Sequence, residues 1–469
     1  MALASSGCMS LAPPYEQPPM PVAPAYPGAD GAAAPGKSAA DTVWRDYFLD
    51  TRLQALIAQA LDNNRDLRTA VLKVEEARAL YGIRRADQFP AIDAGASATR
   101  SRTPEDLSLT GQARTAGQYQ AGLNLTSWEI DFWGRVRNLK DAALESFLAS
   151  DSARRAATTG LIAQVANDYL VLLELDERIA LTRQAIAARD ATLGLFRRRY
   201  AAGATSRLDV VQVETLLTQA QALGAELEQA RARQVHALTL LAGGQVDLAA
   251  AGGGMDDDSL LGEVRAGLPS DLLVDRPDII AAEQQLKAAN ANIGAARAAF
   301  FPRVALTGSL GSASAELGGL FGSGSGAWSF TPSISLPIFD AGRNRASLDL
   351  AQVRREMAVV NYERTIQTAF REVSDALAAR QWLDRQVRYQ EAALAAQAER
   401  LRLAQLRYDS GAAAYLEVLD AQRDLLSAQQ ELVQIRRARL TSRVSLYAAL
   451  GGGARGIAAA PDPASTGSN

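Results

Sequence analysis

The chain contains one cysteine and one histidine in 469 residues. One cysteine cannot form an internal disulfide, and one histidine cannot supply a His cluster for a metal. No run of about 18 apolar residues occurs, which argues against a transmembrane helix and leaves β-strands as the route into a membrane. The net charge is −3 and no basic tract is sustained, so the composition offers no electrostatic case for nucleic-acid binding.

Internal repetition is the strongest signal in the sequence. A short segment recurs 208 positions later, where Tyr200, Gly203, Leu208 and Val210 are matched by Tyr408, Gly411, Leu416 and Val418. Two further dipeptides keep this offset: Gly134-Arg135 recurs as Gly342-Arg343, and Gly243-Gly244 as Gly451-Gly452. Gly82 and Phe89-Pro90 recur 212 positions later, as Gly294 and Phe301-Pro302. The chain is therefore predicted to be duplicated, with repeats at 41–244 and 276–453 joined by an equatorial linker at 245–275.

Each repeat is predicted to contain one β-hairpin, at about 91–127 and 303–338. The segments alternate apolar residues with polar residues or glycine, a period of two that places one face of a strand in an apolar medium. The apolar positions include Ile92, Leu123, Leu310, Trp328 and Ile334. The half-buried sheet of a soluble protein has the same pattern, so the hairpins alone do not establish a membrane location.

Long helices are predicted after each hairpin, at about 134–200 and 205–242 in the first repeat and 342–408 and 413–450 in the second. The span from Arg343 to Tyr408 contains no glycine or proline. About 66 helical residues would extend about 100 Å, far longer than a compact domain needs. The returning helices carry coiled-coil spacings, such as the sevenfold series Leu419, Leu426, Val433, Leu440 and Tyr447.

Four strands are too few to close a barrel, since even narrow barrels need about eight. If the strands face lipid, every backbone donor and acceptor has to be paired, so several copies must combine. Two copies would give a plugged barrel and three an open lumen. The sequence thus predicts a conduit of the α+β class, with a soluble coiled-coil scaffold as the alternative.

Several segments resemble the TolC-like outer membrane factors, and most closely the OprM-type lipoprotein channels of tripartite efflux pumps. The resemblance covers Cys8 to Gly453 and is most specific at Asn64-Arg-Asp-Leu67, Trp128-Glu-Ile-Asp-Phe-Trp-Gly134, Leu268-Pro-Ser-Asp-Leu-Leu273, Arg276-Pro-Asp278, Ala291 to Pro302 and Leu419-Asp-Ala-Gln-Arg423. It implies a homotrimer with a 12-stranded β-barrel in the bacterial outer membrane, an α-helical barrel in the periplasm and a mixed equatorial domain.

The resemblance also implies partners and a role. The partners would be a periplasmic adaptor (membrane fusion) protein, an inner-membrane RND transporter and outer-membrane lipid. The role would be a passive exit channel for small molecules in multidrug efflux. The duct of a type I protein-secretion system is a close alternative. No nucleophile, carboxylate pair or phosphate-binding loop is arranged for catalysis, so we expect no enzyme activity, cofactor or metal.

The two termini are predicted to lie outside the repeats. Residues 1–40 are rich in proline, alanine and glycine and are expected to form an extended tether, and 454–469 a disordered tail. Leu3 to Cys8 resembles the end of a bacterial lipoprotein signal, although Ser5 stands where leucine is usual. Cys8 is either an incidental cysteine or the lipidated first residue of a mature protein, and the Pro-rich tether favours lipidation.

A periplasmic gate is expected at the tip of the second helical pair. Asp420 and Arg423 lie three residues apart and share a helix face, where a weak ion pair within the helix would be an ordinary explanation. The resemblance places the family's tip constriction at these residues, with a hydrophobic ring at Leu416 and a further contact at Ala412. The equivalent residues of the first repeat lack the charge pair: Leu208, Gln212 and Thr215.

The turns between the long helices are the second candidate site. Gly203 and Gly411 suit the left-handed conformation that ends a helix. The resemblance implies that these turns, with Tyr200 and Tyr408, form the rim that docks on the adaptor.

Overall fold

A computed structural model describes residues 10–27, 38–109, 111–248, 260–265 and 267–460. Cys8 and the last nine residues of the expected C-terminal tail lie outside these ranges, as does part of the inter-repeat linker.

The two hairpins form one antiparallel sheet in the order β1-β2-β3-β4. The strands are Ile92–Thr103 (β1), Arg114–Ile130 (β2), Arg303–Ser314 (β3) and Gly326–Ser335 (β4). Pairing of β2 with β3 joins the two repeats, and a bulge interrupts it between Leu125 and Trp128. Within the described chain, β1 and β4 each keep one unpaired edge.

The strand register places the apolar positions on one face of the sheet. Ile92 pairs with Leu125, Leu123 lies between Ala94 and Leu310, and Leu310 pairs with Trp328. Several of these side chains are half or more exposed, including Leu123, Leu310, Trp328, Phe330 and Ile334. One chain therefore leaves an apolar band uncovered.

Four long helices extend from the sheet. The first repeat contributes α4 (Arg135–Ala201) and α5 (Arg207–Leu241), and the second contributes α8 (Arg343–Asp409) and α9 (Tyr415–Ala449). The two longest have 67 residues each, a length of about 100 Å. Below the middle of the molecule the helices lie side by side in the order α5, α4, α9, α8.

Two shorter helices stand above the returning ones, nearer the sheet. Helix α3 (Arg65–Ala86) is stacked end to end on α5, and α7 (Pro277–Ala298) is stacked end to end on α9. The same kind of hydrogen bond is found at both junctions between stacked helices. Asn64, the N-cap of α3, donates from its side chain to Leu241 O, and Arg276, the N-cap of α7, donates to Ala449 O. The duplicated chain thus bridges each pair of stacked helices with the side chain at the equivalent position.

A belt packs around the middle of the helices. It contains α1 (Trp44–Tyr47), α2 (Thr51–Asn63), part of the linker and α6 (Leu272–Asp275). Tyr47 stacks on Tyr447 with ring centroids 4.2 Å apart. An amphipathic pattern in the sequence continues from Trp44 to Asn63, but the chain breaks between α1 and α2. Asp50 then caps α2 by accepting from the Arg52 and Leu53 amides.

Among the described residues, helix α4 contains one stretch of 18 residues that is long and apolar enough to cross a membrane, although polar residues interrupt it. More than half of that stretch, 56%, is buried inside the chain. The buried side chains of α4 include Leu161, Val165, Tyr169 and Leu173, which join the belt core. We interpret the apolar stretch as a core helix of the belt.

The N-terminal segment 10–27 is extended, as expected, but it is also packed. Ser10 donates to Asn138 Oδ1 near the start of α4, and Tyr15 donates to Glu283 of α7. Tyr26 stacks on Phe370 of α8, with ring centroids 5.3 Å apart. The segment therefore runs along the helices from the sheet towards the belt.

The C-terminal residues 454–460 are ordered, where the sequence analysis expected disorder. They begin with a short 3-10 helix, and Arg455 forms ion pairs with Asp41 and Asp275 at 2.9 and 2.6 Å. Arg154 donates to Ala458 O. These polar contacts explain the order, which composition alone could not reveal.

Gly294 is where the N-terminal segment crosses α7. A Cβ there would lie 2.5 Å from Asn138 Nδ2 and 2.7 Å from Ala12 N, whereas a Cβ at the equivalent Gly82 would meet nothing within 4 Å. We expect Gly294→Ala to release the segment, seen as faster proteolysis before residue 27. Gly82→Ala is the matched control and should instead stabilise its helix by up to about 1 kcal/mol. Equal protection in both variants would contradict this packing.

Candidate functional site at the helical tip

The two turns at the tip have the same backbone construction. Gly203 and Gly411 have φ values of 71° and 74°. The amides of Gly203 and Ala204 donate to Tyr200 O and Arg199 O, at 2.9 and 2.8 Å. The amides of Gly411 and Ala412 donate in the same way to Tyr408 O and Arg407 O, both at 2.9 Å. Each long helix thus ends in a Schellman motif whose positive φ favours glycine.

The helices that follow the turns begin differently. Ser206 and Asp209 form a capping box at the start of α5, and Thr205 also donates to Asp209. The hydrogen bonds from Ser206, and next from Thr205, hold the pKa of Asp209 below its ordinary value. The equivalent N-cap of α9 is Ala414, whose side chain cannot cap. The second turn therefore lacks a stabilising contribution of about 1 kcal/mol that the first one has.

Tyr408 links the two turns, while its counterpart does not. The Tyr408 hydroxyl accepts a 2.7 Å hydrogen bond from Arg199 of the first repeat, and its ring meets Tyr415 edge-on at 4.8 Å. Tyr415 in turn packs against Phe196, with centroids 4.5 Å apart. Tyr200 is 46% exposed. Tyr200 and Tyr408 occupy equivalent positions in the two repeats, but their environments at the rim differ.

Asp420 and Arg423 form an ion pair of 3.1 Å on α9, but the pair is part of a longer chain of charges. Arg423 also contacts Asp424 at 2.9 Å, and Asp424 contacts Arg400 of α8 at 2.6 Å. Arg400 first, and Arg423 second, hold the pKa of Asp424 below its ordinary value. The charges therefore join the two helices of the second pair.

Arg400 and Asp424 were not among the residues predicted from the sequence, although counting residues from the turn identifies them. In an antiparallel helical pair, residues at equal distances from the turn face each other. Arg407 and Glu417 form such a pair at 2.9 Å, and Arg400 and Asp424 have the same residue-number sum, 824.

The remaining candidates lie on the surface of the second pair. Leu416 is 48% exposed and lies four residues before Asp420, on the same face of α9. Ala412 is exposed in the turn, where its amide closes the Schellman motif. The structure therefore brings Leu416, Asp420 and Arg423 onto one face, while Ala412 stands apart from it.

This geometry defines a class of protein. A four-stranded sheet with an exposed apolar face is continued by rods of about 100 Å, and a chain of ion pairs lies near their far end. Such an arrangement is typical of an outer-membrane channel with a periplasmic tunnel.

The chain belongs to the outer membrane efflux protein family, which matches it over residues 56–244 and 268–452. It is 46% identical over 456 residues to the solvent efflux pump outer membrane protein SrpC of Pseudomonas putida, covering 96% of this chain and 97% of that protein. It is also 46% identical over 450 residues to the outer membrane protein OprJ of Pseudomonas aeruginosa, covering 95% and 93%.

Solved structures agree with this family. A membrane protein from Pseudomonas aeruginosa superimposes with a TM-score of 0.90 at 44% identity, covering 96% of this chain and 99% of the other. The open state of the Neisseria gonorrhoeae MtrE outer membrane channel superimposes with a TM-score of 0.86 at 39% identity, covering 95% and 99%.

The predicted fold class is confirmed as that of the trimeric TolC-like channels, with four strands from each protomer. The protein is an outer-membrane efflux channel that extends into the periplasm, and it is not an enzyme. The alternative of a soluble coiled-coil scaffold is wrong.

Proposed function

We propose that this protein is the passive exit duct of a tripartite multidrug efflux pump, with its periplasmic opening controlled at the tip of the second helical pair. A periplasmic adaptor docks on the turns, and an inner-membrane RND transporter delivers the exported small molecules. The observation that carries this proposal is the charge chain at Asp420 and Arg423, near the end of rods about 100 Å long. The efflux names of the relatives favour this role over type I protein secretion.

Two complementary edges support assembly into a closed ring. In the sheet, the free edge of β4 can pair with the β1 edge of the next copy. In the upper helices, the outer members are α3 and α8. Both carry exposed apolar residues: Leu72, Leu80 and Ile83 on α3, and Leu350, Val353, Met357 and Val360 on α8. In the sheet and in the upper helices, one outer edge thus comes from the first repeat and the other from the second, as a head-to-tail ring requires.

In the lower helices, large residues of α8 match small ones of α5. Trp382 and Tyr389 are 54% and 74% exposed and lie seven residues apart. Ala225 and Ala232 are exposed on the face of α5 that points away from α4. Ala232 is as many residues from Gly203 as Trp382 is from Gly411, and the same holds for Ala225 and Tyr389. Each pair therefore lies at the same distance from the tip. We infer that neighbouring copies pack here, with large side chains seated over small ones.

The gate proposal is supported by asymmetry between the repeats. Only the second pair has the charge chain, while Gln212 and Thr215 stand at the equivalent positions of the first pair. The missing cap at Ala414 leaves the start of α9 less fixed than that of α5. In a threefold ring, the three copies of Leu416, Asp420 and Arg423 converge on the axis and close the tunnel.

Lipidation of Cys8 is proposed on the position of Ser10. Ser10 lies beside Asn138, four residues into α4 and close to the sheet. Two residues of extended chain span about 7 Å, so the position of Ser10 allows a lipid on Cys8 to reach the membrane end of the helices. A lipid at that position could insert into the periplasmic leaflet of the outer membrane.

The assembly proposal is tested by placing a large residue on the α5 edge. Ala232→Trp would place a second tryptophan against Trp382 of the neighbouring copy, where only a small side chain fits. We therefore expect loss of the trimer in detergent-extracted protein, measured by light scattering. Gln219→Trp, on an exposed face of α5 away from this edge, is the control and should remain trimeric. A trimer that survives Ala232→Trp would show that the two edges do not meet at this level.

The gate proposal is tested by conductance. Asp420→Ala with Arg423→Ala removes the charges that hold the tip together, so single-channel conductance in planar bilayers should rise several-fold. The matched control is Gln212→Ala with Thr215→Ala in the first repeat, which should leave conductance unchanged. Unchanged conductance in the charge variant would remove both residues from the gate.

The docking proposal is tested at the rim. Ala204→Trp with Ala412→Trp adds bulk to exposed turn positions without altering either positive-φ glycine. We expect efflux in cells to be lost, while the trimer and its conductance remain. Normal efflux would exclude adaptor contact at these turns, and loss of the trimer would indicate a structural role only.

A further inference from the structure

A cavity of about 650 Å³ lies where α7 stands above α9. Three helices of one chain surround it, namely α4, α8 and α9, and Arg276 and Asp278 lie at its upper end. Most of its lining side chains are small: Ala156, Gly160, Ala163, Ala376, Ala379 and Ala438. A volume of this size is typical of sites for small organic molecules.

The cavity opens on the face of α9 that carries the proposed gate. Thr441 lines the cavity and lies three heptads beyond Asp420. In a helix of a coiled-coil wall, residues separated by whole heptads leave the helix in the same direction. The cavity therefore faces the tunnel, about 30 Å beyond the gate towards the outer membrane.

The rim of the cavity is anionic. Arg276 pairs with Asp278 at 2.6 Å and with Glu372 at 2.7 Å, so these three groups together keep one negative charge. Asp375, also at the rim, lies 4.0 Å from Arg371 across exposed side chains, a distance that gives little neutralisation. A cation is therefore favoured over an anion at the mouth.

We propose that this cavity binds amphiphilic organic amines, with the apolar body against the alanines and the ammonium at the anionic rim. The inference rests on the proposed function, because it names the class of molecule that the duct would hold on its way out. The first repeat does not offer the same charges, since Asn64 and Asp66 stand where the second repeat has Arg276 and Asp278.

The experiment uses the purified trimer in detergent and three fluorescent probes: monodansylcadaverine, its neutral N-acetyl derivative, and a dansyl amino acid with a free carboxylate. Ser445→Phe fills the cavity from α9, and Asp375→Asn removes a rim charge. The control is Ser427→Phe, an exposed position of α9 outside the cavity.

We expect the ammonium probe to bind about tenfold more tightly than the other two, a difference of about 1.4 kcal/mol. Ser445→Phe should weaken it about tenfold and Asp375→Asn by a smaller factor, while Ser427→Phe leaves it unchanged. Equal binding of the three probes, or full binding by Ser445→Phe, would overturn the inference. Bilayer conductance of the same samples separates the two proposals, because a conducting trimer without cavity-dependent binding contradicts this site alone.

Discussion

The unpaired strand edges are the constraint on which the rest of the structure depends. A strand in lipid has no water to satisfy its backbone donors and acceptors, so an open edge there is not tolerated. One chain supplies four strands with free edges at β1 and β4. Closure therefore has to come from other copies. The helices that continue from the sheet are then arranged in the same ring as the strands. The exposed apolar residues of α3 and α8 follow from the same requirement lower in the molecule.

Much of this architecture could be predicted, because it depends on periodicity. Alternation of apolar and polar residues identified the hairpins, and the lack of helix-breaking residues between Arg343 and Tyr408 identified one of the rods. The 208-residue offset relates the two turns on the sequence alone. These signals are local or repeat at a fixed distance. They survive in the sequence because the backbone geometry demands them at each position.

The features that could not be predicted depend on particular contacts between distant segments. The order of 454–460 depends on Arg455 meeting Asp41 and Asp275, which no composition rule anticipates. The break before α2 occurs where Asp50 caps that helix, although the amphipathic pattern of the sequence continues through it. Tyr200 and Tyr408 look equivalent in the sequence, yet only Tyr408 bridges the turns, since its environment includes Arg199 from the other repeat.

Comparison of the repeats shows where a duplicated scaffold has become specialised. Equivalent junctions keep the contact to the last carbonyl of the lower helix, but Arg276 replaces Asn64 and adds ion pairs beside a cavity. Equivalent turns keep the Schellman motif, but the second lacks the Ser206 cap and gains the charge chain through Arg400 and Asp424. Backbone hydrogen bonds are thus retained in both repeats, while the charges are arranged differently: the first pair has separate ion pairs such as Arg197–Glu214, and the second has a linked chain of charges. Since exposed ion pairs are weak compared with caps and buried contacts, the second pair combines a less fixed helix start with contacts that can be broken and remade. Under the gate proposal, the second pair is the movable element of the trimer's wall and the first pair is its fixed support.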